Sequence, residues 1–215
     1  MNELHRLIEQ RGAHHEAVER ERAVVRTARD LADALDACRT VAKNAAADRT
    51  RTAEGQRAFV RTHIHDGTCA YLRKARSQAK QCRDDLATWT KRLVPAPGDK
   101  GDLDLAVIRS DIRAMFRGMT VPQQVQFLAK LDHPVEVYSA LLSGPAMLSG
   151  ISEDQRGKLL DNYRSQFHAG DMQLIAQQQE AIALLDAVSS TVANEAARTG
   201  GWQSHEFSKL IEEAN

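Results

Sequence analysis

Seven apolar residues, Leu72, Ala75, Ala79, Cys82, Leu86, Trp89 and Leu93, follow one another at spacings that alternate between three and four. In an α-helix this spacing holds every one of them on a single narrow stripe, the a/d pattern of a helix that packs lengthwise against another. A period of two, which a half-buried strand requires, is absent from the stretch. The feature therefore predicts a long helix with one dry face, serving either as an oligomer contact or as an internal helix-packing seam.

Composition agrees with an all-α reading. Only 5% of the chain is aromatic against 42% hydrophobic, so its core must be filled by Ala, Leu, Val and Ile. That suits helix packing better than a β-sandwich. No run of 18 apolar residues occurs, and Met1-Asn2-Glu3-Leu4-His5-Arg6 opens without an apolar signal core. The expectation is a chain with neither a membrane segment nor a secretory signal. Three cysteines without CxxC spacing argue against a disulfide framework.

The zero net charge conceals a polarity. Residues 1–94 carry 19 Lys+Arg against 13 Asp+Glu, a balance of +6, and residues 95–215 carry 10 against 16, a balance of −6. The halves either face different surroundings or face each other, within one chain or between copies.

Leu4 to Ala47 reads as one long helix, apolar at Leu4, Leu7, Val18, Val25, Ala28, Ala32, Leu35, Ala42 and Ala46 and interrupted at Arg11, His14, Glu21 and Arg39. Its seam is out of phase with the one at Leu72. A turn at the polar stretch Asp48 to Gly55, with Gly55 as breaker, predicts a hairpin in which 4–47 runs back along 58–93. The alternative is one helix with a stutter, roughly 135 Å long at 1.5 Å per residue.

Two prolines and two glycines within Val94 to Asp102 mark a linker. The expected organisation is a long helical hairpin or coiled coil over 1–94, a Pro/Gly linker over 95–102 and a C-terminal helical bundle over 103–215. In the bundle, Leu105, Ile108, Ile112, Met115 and Phe116 form the apolar side of a helix that Gly118 stops. Thr120 caps the next, with Pro122 in its first turn and Val125, Leu128 and Leu131 on its face. Asp132 caps a third, which buries Val137, Tyr138 and Leu141 and ends at Gly144-Pro145. Ser152 with Gln155 forms a capping box ahead of Leu159, Leu160, Tyr163 and Phe167. A last long helix from Gly170-Asp171 to Gly200-Gly201 turns Leu174, Ala181, Leu185, Val188 and Val192 inward, before an amphipathic tail from Trp202.

The run Tyr138-Ser139-Ala140-Leu141-Leu142-Ser143-Gly144-Pro145-Ala146-Met147-Leu148-Ser149-Gly150-Ile151-Ser152, with its surroundings from Ile108 to Phe167, resembles a segment of uncharacterised helical proteins of tailed bacteriophages. The resemblance implies a virion-associated or morphogenetic role, synthesis in a bacterial host cytoplasm and other virion proteins as partners. It brings no catalytic residues with it.

Chemistry-bearing constellations are sparse. His63, His65 and Cys69 offer zinc-ligand types, and His65 to Cys69 is an i, i+4 pair, but no second pair completes four ligands. A solvated helix face or a break at Gly67 is the competing account. His14 and His15, adjacent on a helix, diverge and read as surface residues. Cys82 sits in the seam as a small hydrophobe. Walker, HExxH, GxGxxG and serine-hydrolase patterns are absent, so an enzyme is not expected, nor is a cofactor. Arg73, Arg76, Lys80 and Arg83, with Lys74 alongside and Arg49, Arg51, Arg57 and Arg61 ahead, form a basic strip. It reads first as a solvated face or a partner for an acidic surface, and second as sequence-independent phosphate contacts to DNA. The function expected from these features is non-enzymatic: a multi-copy, homo-oligomeric structural component of a tailed-phage particle, internal, connector-region or head-associated. A DNA-contacting accessory factor is the alternative.

Overall fold

The computed structural model describes residues 3–12, 19–95, 103–130, 132–143 and 149–213. Every regular element among them is helical. In order these are α1 (Glu3–Gly12), α2 (Glu19–Ala47), α3 (Ala53–His63), a π-turn (Ile64–Thr68), α4 (Cys69–Arg92), α5 (Leu103–Gly118), α6 (Val121–Leu128), α7 (Val135–Leu142), α8 (Glu153–Phe167), α9 (Ala169–Gly200) and α10 (Ser204–Glu213). No helix among the described residues is long and apolar enough to cross a membrane. His14, His15, Val18, most of the predicted linker, Leu131 and the corner at Gly144-Pro145 with Met147 and Leu148 lie outside the described residues.

The chain divides into two compact units, Met1–Leu86 with Ala176–Asn215, and Ala87–Ile175. This differs from the division expected at 95–102. Residues 176–215 belong with the N-terminal helices, which they meet through Arg39–Glu195, Arg83–Asp186 and the bonds from Arg61 to Gly200 and Gly201, and Ile182, Leu185, Val188, Val192, Phe207 and Ile211 are buried in that unit.

Within the first unit, α2 and α4 run antiparallel where they meet. Thr27 Oγ1 donates to Gln78 Oε1 at 2.5 Å and Lys74 Nζ lies 3.4 Å from Asp30, so the partners descend along α2 as they climb along α4. The turn differs from the expected one. Asp48 gathers the Thr50 hydroxyl (2.6 Å), the Thr50 amide (2.9 Å) and Arg51 Nε (3.1 Å), and Thr52 accepts from the amide of Gly55 at 3.1 Å. Gly55 is thus inside the first turn of α3, and the chain reverses at 48–52 through Asp and Thr side chains that satisfy the helix-end amides. The Thr50 hydroxyl and amide, followed by Arg51, hold the Asp48 carboxyl below its usual range.

The expected single helix from Leu4 to Ala47 is two helices. His5 Nε2 lies 2.9 Å from Asp33 Oδ1, a pair 28 residues apart that a continuous helix would separate by about 42 Å at 1.5 Å per residue. Hence α1 folds back on α2, and the polar interruptions at Arg11 and His14 fall at the end of α1 and beyond it.

Val60, Ile64, Thr68 and Leu72 are all buried and lie four residues apart. Steps of four overshoot a 3.6-residue turn, and the wide π-turn at 64–68 takes up the excess, keeping these side chains on the face turned to α2. Gly67 is therefore part of a widened turn and not a break.

The second unit has an aromatic core. Phe116, Tyr138, Leu141, Leu142, Ile151, Leu159 and Tyr163 are buried together. Rings chain through it from Phe116 to Phe127 (5.8 Å), His133 (4.5 Å), Tyr138 (5.8 Å) and Tyr163 (5.4 Å). The polar groups beside the rings are paired: Tyr138 donates to Gln166 Oε1 at 2.8 Å and Gln166 Nε2 to His133 O at 3.2 Å. Arginines close the helix ends. Arg113 and Arg156 donate to the carbonyls of Ala140 (2.7 Å) and Leu142 (2.6 Å) in α7, and Arg164 to those of Thr90 and Leu93 at 3.1 Å.

The expected cap at Thr120 and the expected capping box at Ser152 are present, and Thr120 forms a box as well: Gln123 Oε1 accepts from the Thr120 amide at 2.9 Å and Gln155 Oε1 from the Ser152 amide at 2.8 Å. Asp132 is not a cap, since Pro134 stands at that position before α7. Near the start of α9 Ile175 is buried in place of the expected Leu174, which is exposed.

Candidate functional site

Five of the seven seam residues from Leu72 to Leu93 are buried. Leu72 and Ala75 are 0% exposed, Ala79, Leu86 and Leu93 are buried, and Cys82 and Trp89 are half-buried. This burial is achieved by a single copy of the chain, so the stripe acts as a helix-packing seam. Its small members Ala75 and Ala79 let neighbouring helices approach closely.

The basic strip beside it meets acids of the same chain. Arg83 pairs with Asp186 of α9, Arg76 lies 3.8 Å from Glu212 of α10, Lys74 contacts Asp30, and on α2 Arg39 lies 3.4 Å from Glu195. Arg73 is half-buried, and Lys80 is exposed. Arg61 reaches across to α9, donating from Nε to Gly200 O at 2.7 Å and from Nη2 to Gly201 O at 3.1 Å. Three of these contacts, Arg83–Asp186, Arg76–Glu212 and Arg39–Glu195, join a base of the N-terminal half of the sequence to an acid of the C-terminal half within one chain.

The histidines and cysteines do not converge. His65 Nδ1 is 2.8 Å from Asp66 on the exposed side, whereas Cys69 is buried. Burial pushes the Cys69 thiol up to about 11, against a smaller opposing pull from Arg73 and Arg76, and burial likewise raises Cys38. A buried thiol held neutral in this way is a poor nucleophile at neutral pH. Among the described residues no three His, Cys, Asp or Glu side chains stand close enough to hold a metal ion.

The surface that stands out lies in the second unit. Ten of the twelve large hydrophobic residues left exposed among the described residues belong to it. On α5, Leu103 is 78% exposed and Val107, Ile108 and Met115 are exposed as well; on α6, Val121 is 70% exposed and Val125 more than half. Sequence reasoning placed Ile108, Met115 and Val125 in the core. The signal against that placement is the width of the apolar arc on α5, which runs from Leu103 and Val107 round to Phe116 and exceeds what one neighbouring face can cover. Phe116 takes the core side with Leu105 and Ile112 half-buried, and the rest faces outward.

Fold and surface together define an all-α protein with charge-matched helix packing in one unit and an uncovered apolar helix face in the other. Comparison with known protein families, curated proteins and solved structures gives no match.

Proposed function

We propose that this protein is a non-enzymatic assembly component that works in multiple copies, associating through the outward apolar face of α5 and α6. The observation that carries the reading is the exposure of Leu103, Val107, Ile108, Met115, Val121 and Val125, all on α5 and α6 of the second unit. Apolar groups gathered in this way on a small unit are characteristic of association surfaces. The partner is a second copy of the chain, and the resemblance to helical proteins of tailed phages assigns the assembly to a virion, alongside other virion proteins. The internal pairing of Arg76 and Arg83 favours this over a DNA-contacting role.

Light-scattering mass over a concentration series tests the proposal. The wild-type chain should exceed its monomer mass of 23.8 kDa, and Val107→Glu with Val121→Glu should return it to monomer with an unchanged far-UV helical signal. A wild-type mass that stays at monomer throughout overturns the reading.

A further inference from the structure

We infer that the outward side of α5 on one copy of the chain seats in a groove between α6 and α8 of the next copy, so that assembly runs head to tail. The inference rests on the multi-copy reading above and adds which surface receives which. The groove lies within the second unit and has a volume of about 410 Å³. Val125, Leu128 and Ala129 line one side of it, and α8 from Gln155 to Asn162 lines the other. Asn162 Nδ2 donates to Leu128 O at 3.3 Å and ties the two walls together, so the groove is formed before anything enters it.

The lining says what the groove accepts. Its α6 wall carries no charge, because Val121–Leu128 contains neither an acid nor a base, and an aliphatic side chain entering there strips water from no ionised group. Its flanks are basic: Lys158 lines the groove and is exposed, and Lys130, also exposed, follows Ala129 in the chain. Asp161, the acid of the lining, leans toward Arg164 at 3.6 Å. The matching occupant is an apolar helix side bounded by carboxylates.

The chain itself carries such a side. Asp104, Val107, Ile108 and Asp111 stand at i, i+3, i+4 and i+7 of α5, on one face, and all four are exposed. Two aliphatic side chains thus sit between two acids, while Arg109 and Arg113 are half-buried and Arg113 is bound to the carbonyl of Ala140. Set into the groove of the next copy, this side brings Asp104 and Asp111 to Lys158 and Lys130. Packed against its own counterpart it would set acid against acid. The two patches differ, so each added copy leaves one groove and one α5 unused, and repetition builds a ring or a filament.

The test mixes two variants, each blocking one side at an exposed position: Val107→Glu on α5 and Ala129→Glu in the groove. With unchanged far-UV helical signals, light scattering should find each variant alone at the monomer mass of 23.8 kDa. Their equimolar mixture should reach twice that mass and stop, since one intact α5 and one intact groove remain. In the otherwise wild-type chain, Lys158→Glu should raise the concentration of half-assembly at least about fivefold, and adding Asp104→Lys should restore it. If the wild-type chain assembles while the mixture stays monomeric, while Ala129→Glu assembles as the wild type does, or while the Lys158→Glu effect is missing or unrelieved by Asp104→Lys, the head-to-tail assignment is overturned and the multi-copy reading stands. A wild-type chain that stays monomeric overturns both.

Discussion

The guanidinium of Arg61 stacks over the ring of Trp202 at 5.0 Å while the same side chain donates to the carbonyls that end α9. The end itself is a Schellman turn: the Trp202 amide bonds to Ala197 O at 2.9 Å, the Gly201 amide to Arg198 O at 3.2 Å, and Gly201 adopts φ +67°. A methyl group at Gly200 would lie 1.9 Å from the Trp202 ring. Gly201→Ala should cost about 1–2 kcal/mol through its left-handed backbone. Gly200→Ala should displace the indole from Phe207, against which it packs at 5.4 Å. Thermal unfolding of both variants measures this, and unchanged midpoints would contradict the described helix end.

Leu72 and Leu103 are chemically identical and differ in burial, 0% against 78%. Leu72→Ala should cost about 2–5 kcal/mol, as expected for a cavity in a packed core. Leu103→Ala in dilute protein should stay within about 0.5 kcal/mol of wild type. Urea unfolding of the pair checks the ordering, and comparable losses would place the seam on the surface.

Stability should fall at alkaline pH. An unfolded Cys69 loses its proton near 9.0 and the folded one near 11. The native state binds the extra proton between those values, so the contribution is complete below pH 9 and is lost progressively as pH rises to 11. Cys38 acts in the same direction. Urea midpoints at pH 8 and pH 10.5 should differ, with a smaller difference in Cys69→Ala.

Phosphate binding by the basic strip should be held back by its internal partners. Filter binding of duplex DNA by the wild-type chain should show a shallow salt dependence. Asp186→Asn with Glu212→Gln, which releases Arg83 and Arg76, should steepen the slope of log K against log salt by about 0.9 for each arginine that reaches a phosphate. A steep slope in the wild-type protein would revive the DNA-contacting role.

What could be read in advance was local. The cap at Thr120 and the capping box at Ser152 involve atoms within three residues of each other, and the Leu72 stripe is a matter of one helix's own period, so both are visible without a neighbour. The fold-back of α1 depends on His5 meeting Asp33, and the grouping of 176–215 with the N-terminal helices depends on pairs such as Arg83 and Asp186, more than a hundred residues apart. Composition registered that second relationship only as opposite charge in the two halves. The widened turn was hidden for another reason: no residue type marks a π-turn, and the one at 64–68 shows only in the run of buried side chains from Val60 to Leu72.

The first unit is discontinuous in sequence, with residues 87–175 inserted between its parts. During synthesis the ribosome releases the Leu72 stripe long before it makes Leu185, Val188 and Val192, so the nascent N-terminal helices wait with an incomplete core while the inserted unit, whose residues are contiguous, is free to fold on its own. Completion of the first unit is therefore timed by the last forty residues, and a chain stopped at 175 would leave the ribosome with its cationic helices unneutralised and their apolar faces wet.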